Sequence, residues 1–435
     1  MKVNLLNKVK KVKWWFWGLI GAVIIGALYL ASTNFSSWNI SNSSITKKDA
    51  SISSEPVHIV SNINIGSMGD LLIHAPMLVA SFDKNTKQYN FEKIFTYIKP
   101  YIEDLDYAVI NLEGTLAKDN YSGYPTFKYP DNIIDCAKNC GFNMFLTANN
   151  HSNDGGPSGF ARTADILKQK GVDFTGTRVN KEDAKYVIKD IKGIKIGVVN
   201  YTYGEISENG TASVNGIPSS RENSKLFNVF DYKKLEDFYN EQADIIAEMR
   251  EIGVDKILYY MHWGEEYQLK PNDSQQKIAQ KLCDLGVDVI IGGHPHVIQP
   301  MDIIHSDVSD KDTVCIYSLG NAVSNQRKER KGIINSGHTE DGVIFTVSFT
   351  KYSDGTVLTS GVKILPTWVN LYTGEAGEKV YQIVPLDKSK DWNTLNLKNN
   401  LENASASYQR TMWLLEPGFK KANDLISKRL EIYPD

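Results

Sequence analysis

Paired cysteine clusters are missing from this sequence. Its 435 residues hold only Cys136, Cys140, Cys283 and Cys315, and no two share the Cys-x-x-Cys spacing of a structural zinc site. Cys136 and Cys140, four apart in a helical stretch, read as reduced core thiols. A dominant charge sign is missing as well. With 48 Lys and Arg against 51 Asp and Glu, the net charge is −3, which supplies no electrostatic attraction for a nucleic acid. No zinc-finger, homeodomain or RNA-recognition spacing appears, so nucleic acid is not expected as a partner. Internal repeats are absent. Long apolar runs are absent too, with one exception.

That exception lies at residues 14–31, which carry no charge. As a helix the run spans roughly 27 Å, close to the hydrocarbon core of about 30 Å. Lys2, Lys8, Lys10, Lys11 and Lys13 precede it, and the next positive charge is Lys47. This asymmetry puts residues 1–13 in the cytoplasm, and Trp14, Trp15, Phe16 and Trp17 suit the membrane–water interface. A cleaved signal peptide is the competing reading. Its apolar region would be unusually long, and Tyr29-Leu30-Ala31 is a poor cleavage site, so an uncleaved single-pass anchor is favoured. Both readings export the rest of the chain. Residues 32–56 are rich in Ser and Asn and read as a tether that cannot bury enough surface to order itself.

From residue 57 short apolar runs alternate with helical patterns. Strands are expected at 63–69, 107–111, 143–147, 195–200, 256–260 and 287–291. Helices are expected at 91–105, 132–139, 158–170, 231–252 and 274–285. Gly141, Gly171, Gly253 and Gly286 stand just past four of these helices, where a left-handed cap favours glycine. Such alternation predicts an α/β fold with a sheet covered by helices on both faces. After residue 297 the strand-like runs 313–319, 343–350 and 356–365, with a turn at Ser353-Asp354-Gly355, predict a second, more antiparallel sheet. Residues 57–386 form the expected main domain, and 387–435 a partly helical extension.

Residues of metal-ligand type recur where the expected strands end. Asp70 follows the first and Glu113 the second. Asn149-Asn150-His151 ends the third, His262 the fifth, and His294 and His296 follow the sixth through Gly292-Gly293. In open α/β sheets ligands bind outside the carboxyl ends of the strands, so these ends can converge on one site. A lone histidine is more often a packing residue. Five of the eight histidines at or just past strand ends is a stronger signal.

Taken in order, Gly69-Asp70, Asn111-Leu112-Glu113, Asn149-Asn150-His151 with Asp154 and Gly156, His262-Trp263-Gly264 with Glu266-Tyr267, Gly293-His294-Pro295-His296-Val297 with Gln299, and Tyr317-Ser318-Leu319-Gly320-Asn321 resemble the motifs of the CapA family. These are poly-γ-glutamate capsule biosynthesis proteins, similar to the calcineurin-like metallophosphatases. The resemblance runs from about residue 57 to 325 and weakly to 385. It implies a metallophosphatase fold of layered β-sheets flanked by helices. It also implies metal ligation by Asp70, Glu113, Asn150, His262, His294 and His296, with Glu113 bridging. His151 would then protonate the leaving group and Asp154 would orient it. This donor mixture suits one or two divalent ions, Mn, Fe or Zn more than Mg or Ca.

Three positions depart from the metallophosphatase pattern. Leu72 stands where the first motif has histidine, with His74 the only nearby substitute. Glu113 replaces an aspartate, and Ala322 a common phenylalanine. The resemblance implies a membrane-anchored extracytoplasmic protein of poly-γ-glutamate biosynthesis, export or attachment. Its partners would be that polymer, or another anionic surface polymer, and a membrane-bound synthase complex. The alternative is a metal-dependent phosphoesterase or hydrolase acting on another cell-surface substrate. The topology is directly testable: protease added to intact cells should release a fragment beginning within residues 32–55. Protection of the domain until lysis would contradict it.

Overall fold

The computed structural model describes residues 56–329 and 336–433. The expected anchor at 14–31 and nearly all of the tether lie outside them. Among the described residues no helix is long and apolar enough to cross a membrane. The principal elements in chain order begin with β1 (Ile59–Leu71), α1 (Ala75–Ser81), β2 (Tyr107–Leu112), α2 (Asn132–Cys140), β3 (Met144–Leu146), α3 (Gly156–Gln169) and β4 (Asp173–Thr175). A middle group follows: β5 (Tyr186–Ile191), β6 (Ile194–Tyr203), β7 (Val229–Phe230), α4 (Leu235–Glu251), β8 (Lys256–His262), α5 (Asp273–Asp284) and β9 (Val289–Gly293). The chain ends with β10 (Ile298–Ser306), β11 (Lys311–Leu319), β12 (Asn321–Val323), β13 (Asp341–Tyr352), β14 (Val357–Thr373), β15 (Lys379–Pro385) and α6 (Leu401–Leu430).

These strands make two mixed sheets. The first runs β15-β14-β13-β1-β2-β3-β4, with β12 beside the end of β1; the second runs β7-β6-β8-β9-β11-β10, with β5 on β6. Side-chain alternation stacks them face to face. Ile65, Val109 and Leu146 of the first sheet share one core with Val198, Leu258 and Ile291 of the second. The next residue along each strand points outward. Ile110 meets Ile133 and Ala137 of α2, and Val199, Tyr259 and Ile290 meet Met249 of α4 and Leu282 of α5. The strands expected to share one sheet with helices on both faces are thus divided between two stacked sheets, with α2 on the outer face of the first and α4 and α5 on that of the second, in keeping with the layered sheets that the resemblance implies.

The antiparallel strands did not form a sheet of their own. β13 pairs antiparallel with β1, with Ile65 opposite Val347, and extends the first sheet along the edge that parallel β2 leaves open. Strand periodicity cannot specify which edge a later strand takes. The helix expected at 91–105 is two short ones, Glu92–Phe95 and Lys99–Glu103, with Pro100 starting the second; proline suits a first turn and not an interior. α4 begins at Leu235, not 231, because the Asp231 carboxylate accepts from the Ile206 and Lys233 amides instead of entering a helix. The four expected cap glycines all have positive φ. All four cysteines are free and buried. The carboxyl-terminal segment is more than an extension: Leu414, Leu415, Ala422 and Ile426 of α6 pack into the inter-sheet core.

Where β1 reaches the site, β12 crosses it closely. The Asp70 amide donates to Gly320 O at 3.1 Å, and a Cβ on Gly69 would stand 1.8 Å from that same oxygen. Gly69→Ala must therefore push backbone apart. Overpacking of this kind costs on the order of 1–3 kcal/mol or more, read as a lowered urea midpoint, whereas Gly355→Ala at the open β13–β14 turn, with nothing near its Cβ, pays only its positive-φ strain.

Candidate metal centre

The two sheets bring different chemistry to one rim. Asp70 from the end of β1, Glu113 just past β2 and Asn150 four residues beyond β3 come from the first sheet. His262, the last residue of β8, and His294 and His296, just past β9, come from the second. All six are buried. Oxygen donors thus face nitrogen donors across the sheet interface. The tight turn after β9 aims two imidazoles at once: His294 and His296 have φ of 94° and 56°, a left-handed conformation that non-glycine residues adopt rarely and at a cost. The turn is held by the Trp263 amide on Gly293 O and the Tyr267 amide on Pro295 O. Gly292 is needed for a close strand crossing, since its Cβ would meet Tyr317 O at 1.8 Å, and Gly293 lies against the Asp70 carboxylate.

Glu113 is the common member. Its Oε1 lies 3.7 Å from His262 Nε2 and 3.7 Å from His296 Nε2. The ligand-type atoms fall into two groups, Glu113–His262–His294 and Asp70–Glu113–His296, each within 4.8 Å. Asn150 Oδ1 is 2.9 Å from His262 Nε2 and adds an amide oxygen to the first group. Both Glu113 oxygens and His294 Nδ1 are buried with no hydrogen-bond partner among the described residues. A buried carboxylate left so is costly, and a divalent cation between these atoms would satisfy it. The mixed carboxylate, amide and imidazole set fits such a cation.

His151 and Asp154 stand beside this cluster. Asp154 Oδ2 lies 2.7 Å from His151 Nδ1 and also accepts the Phe127 amide, while the Phe127 ring meets the His151 ring edge-on at 4.6 Å. His74 is not brought in. Its Nδ1 faces Leu72 O at 3.3 Å and the Asn325 amide at 3.2 Å, and it belongs to neither ligand group. Leu72 itself is buried in the apolar layer beneath α1.

Three contacts escaped the sequence reading. Asn111 Nδ2 donates to Asp70 Oδ1 at 2.7 Å. Asn321 Oδ1 is 3.1 Å from His296 Nδ1, and its Nδ2 donates to His296 O. Tyr203 OH is 3.2 Å from His294 Nε2. Asn111 and Asn321 lie inside recognisable motifs and could have been assigned. Tyr203 lies in none; its only signal is its place at the end of an apolar strand.

Burial, with Asp70, Glu266 and Asp154 nearby, pushes the Glu113 carboxyl well above the usual carboxylate range. Burial and the neighbouring imidazoles hold His262 and His294 well below the ordinary histidine value, which keeps them neutral as ligands must be. Burial opposes charge on His296 as well, but its hydrogen bond to Asp70 and that carboxylate's charge outweigh it and raise its pKa.

The family model described as bacterial capsule synthesis protein PGA_cap matches residues 64–326, more than half of the chain, from within β1 to Gln326. The chain belongs to this family. It is 26% identical over 246 residues to the capsule biosynthesis protein CapA of Bacillus anthracis, covering 55% of each. It is 28% identical over 251 residues to the PGA biosynthesis protein CapA of Bacillus subtilis strain 168, covering 56% of this chain and 60% of the relative. The chain spans little more than half the length of these curated relatives. Among solved structures, the sulfate thiohydrolase SoxB of Thermus thermophilus aligns with 70% of this chain and 42% of its own, at a TM-score of 0.33 and 13% identity, an overlap that carries no argument. The layered α/β fold and family membership are both consistent with the metallophosphatase-like superfamily.

The raised pKa values of Glu113 and His296 have a sign that can be measured. Both groups hold a proton to higher pH than usual, and a cation must displace it. Apparent affinity for Zn2+ should therefore rise from pH 6 to pH 8, and uptake should release protons in calorimetric titrations run in buffers of different ionisation enthalpy. A pH-independent affinity without proton release would contradict this electrostatic description.

Proposed function

We propose that the chain acts outside the cytoplasm, anchored by residues 14–31, in the biosynthesis, export or attachment of a poly-γ-glutamate-type capsule polymer. We further propose that its buried centre performs a cation-assisted hydrolysis or transfer. The observation that carries the chemical part is Glu113, whose carboxylate belongs to both groups of ligand-type atoms and has no protein hydrogen-bond partner among the described residues. Two relatives named for capsule or PGA biosynthesis support the biological part.

Asp70, Glu113, Asn150, His262, His294 and His296 would hold one or two divalent ions, of which Mn, Fe or Zn suits the donors better than Mg or Ca. Such ions, when bound, polarise a substrate oxygen and make water acidic enough to serve as nucleophile near neutral pH. His151 supplies the proton. Asp154 holds its Nδ1 at 2.7 Å, which fixes the ring and its tautomer and leaves Nε2 to donate to a leaving group. Phe127, edge-on to that ring, and the buried walls around it limit water.

The test is complementation of a deletion strain by His151→Ala, scored as surface poly-γ-glutamate beside protein abundance. A positioned acid contributes roughly 10²–10⁴ in rate, so polymer handling should fall severely while bound metal and protein level stay normal. Full complementation at normal abundance would overturn the catalytic reading.

A further inference from the structure

The two groups of ligand-type atoms at the centre are unequal in what they offer a cation. The group at Glu113, His262 and His294 has four donors, because Asn150 Oδ1 sits 2.9 Å from His262 Nε2. It is also pre-aimed. Tyr203 OH, 3.2 Å from His294 Nε2, engages that nitrogen and leaves Nδ1 buried without a hydrogen-bond partner. The oxygens of Glu113 are likewise unpartnered. In this group the contact a cation would have to replace is the one between His262 Nε2 and Asn150 Oδ1.

The group at Asp70, Glu113 and His296 also has an amide oxygen beside it, Asn321 Oδ1 at 3.1 Å from His296 Nδ1. The place where a further donor would come from along β1 holds Leu72, buried among apolar side chains, and the imidazole of His74 belongs to neither group. Its members also satisfy one another. Asp70 Oδ1 accepts from Asn111 Nδ2 at 2.7 Å. Asp70 Oδ2 lies 3.2 Å from His296 Nδ1 and 3.4 Å from the His294 amide. His296 Nδ1 is shared with Asn321 Oδ1 at 3.1 Å. A cation here competes with more contacts already made than at the other position.

Resting on the reading of this site as a cation centre, we propose that its two positions differ in kind. The Asn150–His262–His294–Glu113 position holds its ion permanently. The Asp70–Glu113–His296 position is exchangeable, and its coordination is completed by an anionic oxygen of the substrate, a carboxylate or phosphate. The second ion is then present in proportion to its free concentration and to the anionic substrate that accompanies it, so substrate and cation bind cooperatively.

The experiment uses the full-length chain purified in detergent, loaded with excess Zn2+ and dialysed against metal-free buffer, with zinc counted by atomic emission. Wild type should retain about one zinc per chain, with a second seen only while free zinc is present. Asp70→Asn, which preserves volume, should keep the retained zinc and lose the second. His294→Ala should lose the retained one. Inorganic phosphate should tighten binding of the second zinc in wild type and not in Asp70→Asn. Two zincs retained alike in wild type, or loss of the retained zinc in Asp70→Asn, would overturn the inequality while leaving the centre standing. An absence of bound zinc under every condition would overturn the centre itself and this inference with it.

Discussion

The site depends on one carboxylate reaching across the boundary between two sheets. Glu113 leaves the end of β2 in the first sheet, and its Oε1 comes to 3.7 Å from both His262 and His296, which belong to the second. Neither sheet has the donor set alone. The first supplies carboxylates and an amide, and the second supplies imidazoles. Their face-to-face packing through Ile65, Val109, Leu258 and Ile291 is therefore also what sets the distance between these ligand-type side chains. A glutamate where the metallophosphatase pattern has aspartate adds one methylene, and that length spans the rim between layers.

Holding this geometry has costs that appear as local irregularities. His294 and His296 both sit at positive φ, and the backbone around them is pinned by Trp263 and Tyr267 amides. β1 shifts register against β2 between Met68 and Asp70, at the residue where its side chain must turn toward the site. Gly69 and Gly292 allow β12 and β11 to cross at distances that any Cβ would forbid. Strain of this kind persists only where surrounding structure over-determines it. Here the over-determination comes from two stacked sheets and from α6, which returns from the end of the chain to pack into their common core.

Much of this was legible in the sequence, for physical reasons. Parallel strands buried on both faces give apolar runs, and glycine caps mark helix ends, so β2, β6, β8 and β9, with α2, α4 and α5, were readable within a few residues. Polar residues were readable at the strand ends because that is where a parallel sheet collects polar groups, and the choice of six among them came from the resemblance. What the sequence hid was arrangement. The alternation of Val198 with Val199 shows two buried faces but not that one of them meets another sheet. The pairing of β13 with β1 is a long-range choice with no local signature. Pro100 broke a helix that apolar periodicity joined, and Asp231 used its carboxylate for amides outside the helix it was expected to start. Tyr203 reaches His294 only because β6 lies beside β8, which no motif encodes.

The central claim is that Glu113 joins two cation positions into one centre. Low-temperature electron paramagnetic resonance of the full-length chain with excess Mn2+ tests it directly, since two ions sharing a carboxylate are magnetically coupled and two separate ions are not. The account predicts a coupled signal in wild type that is replaced by that of isolated Mn2+ in Glu113→Gln. A coupled signal that survives Glu113→Gln, or isolated Mn2+ alone in fully loaded wild type, would contradict it.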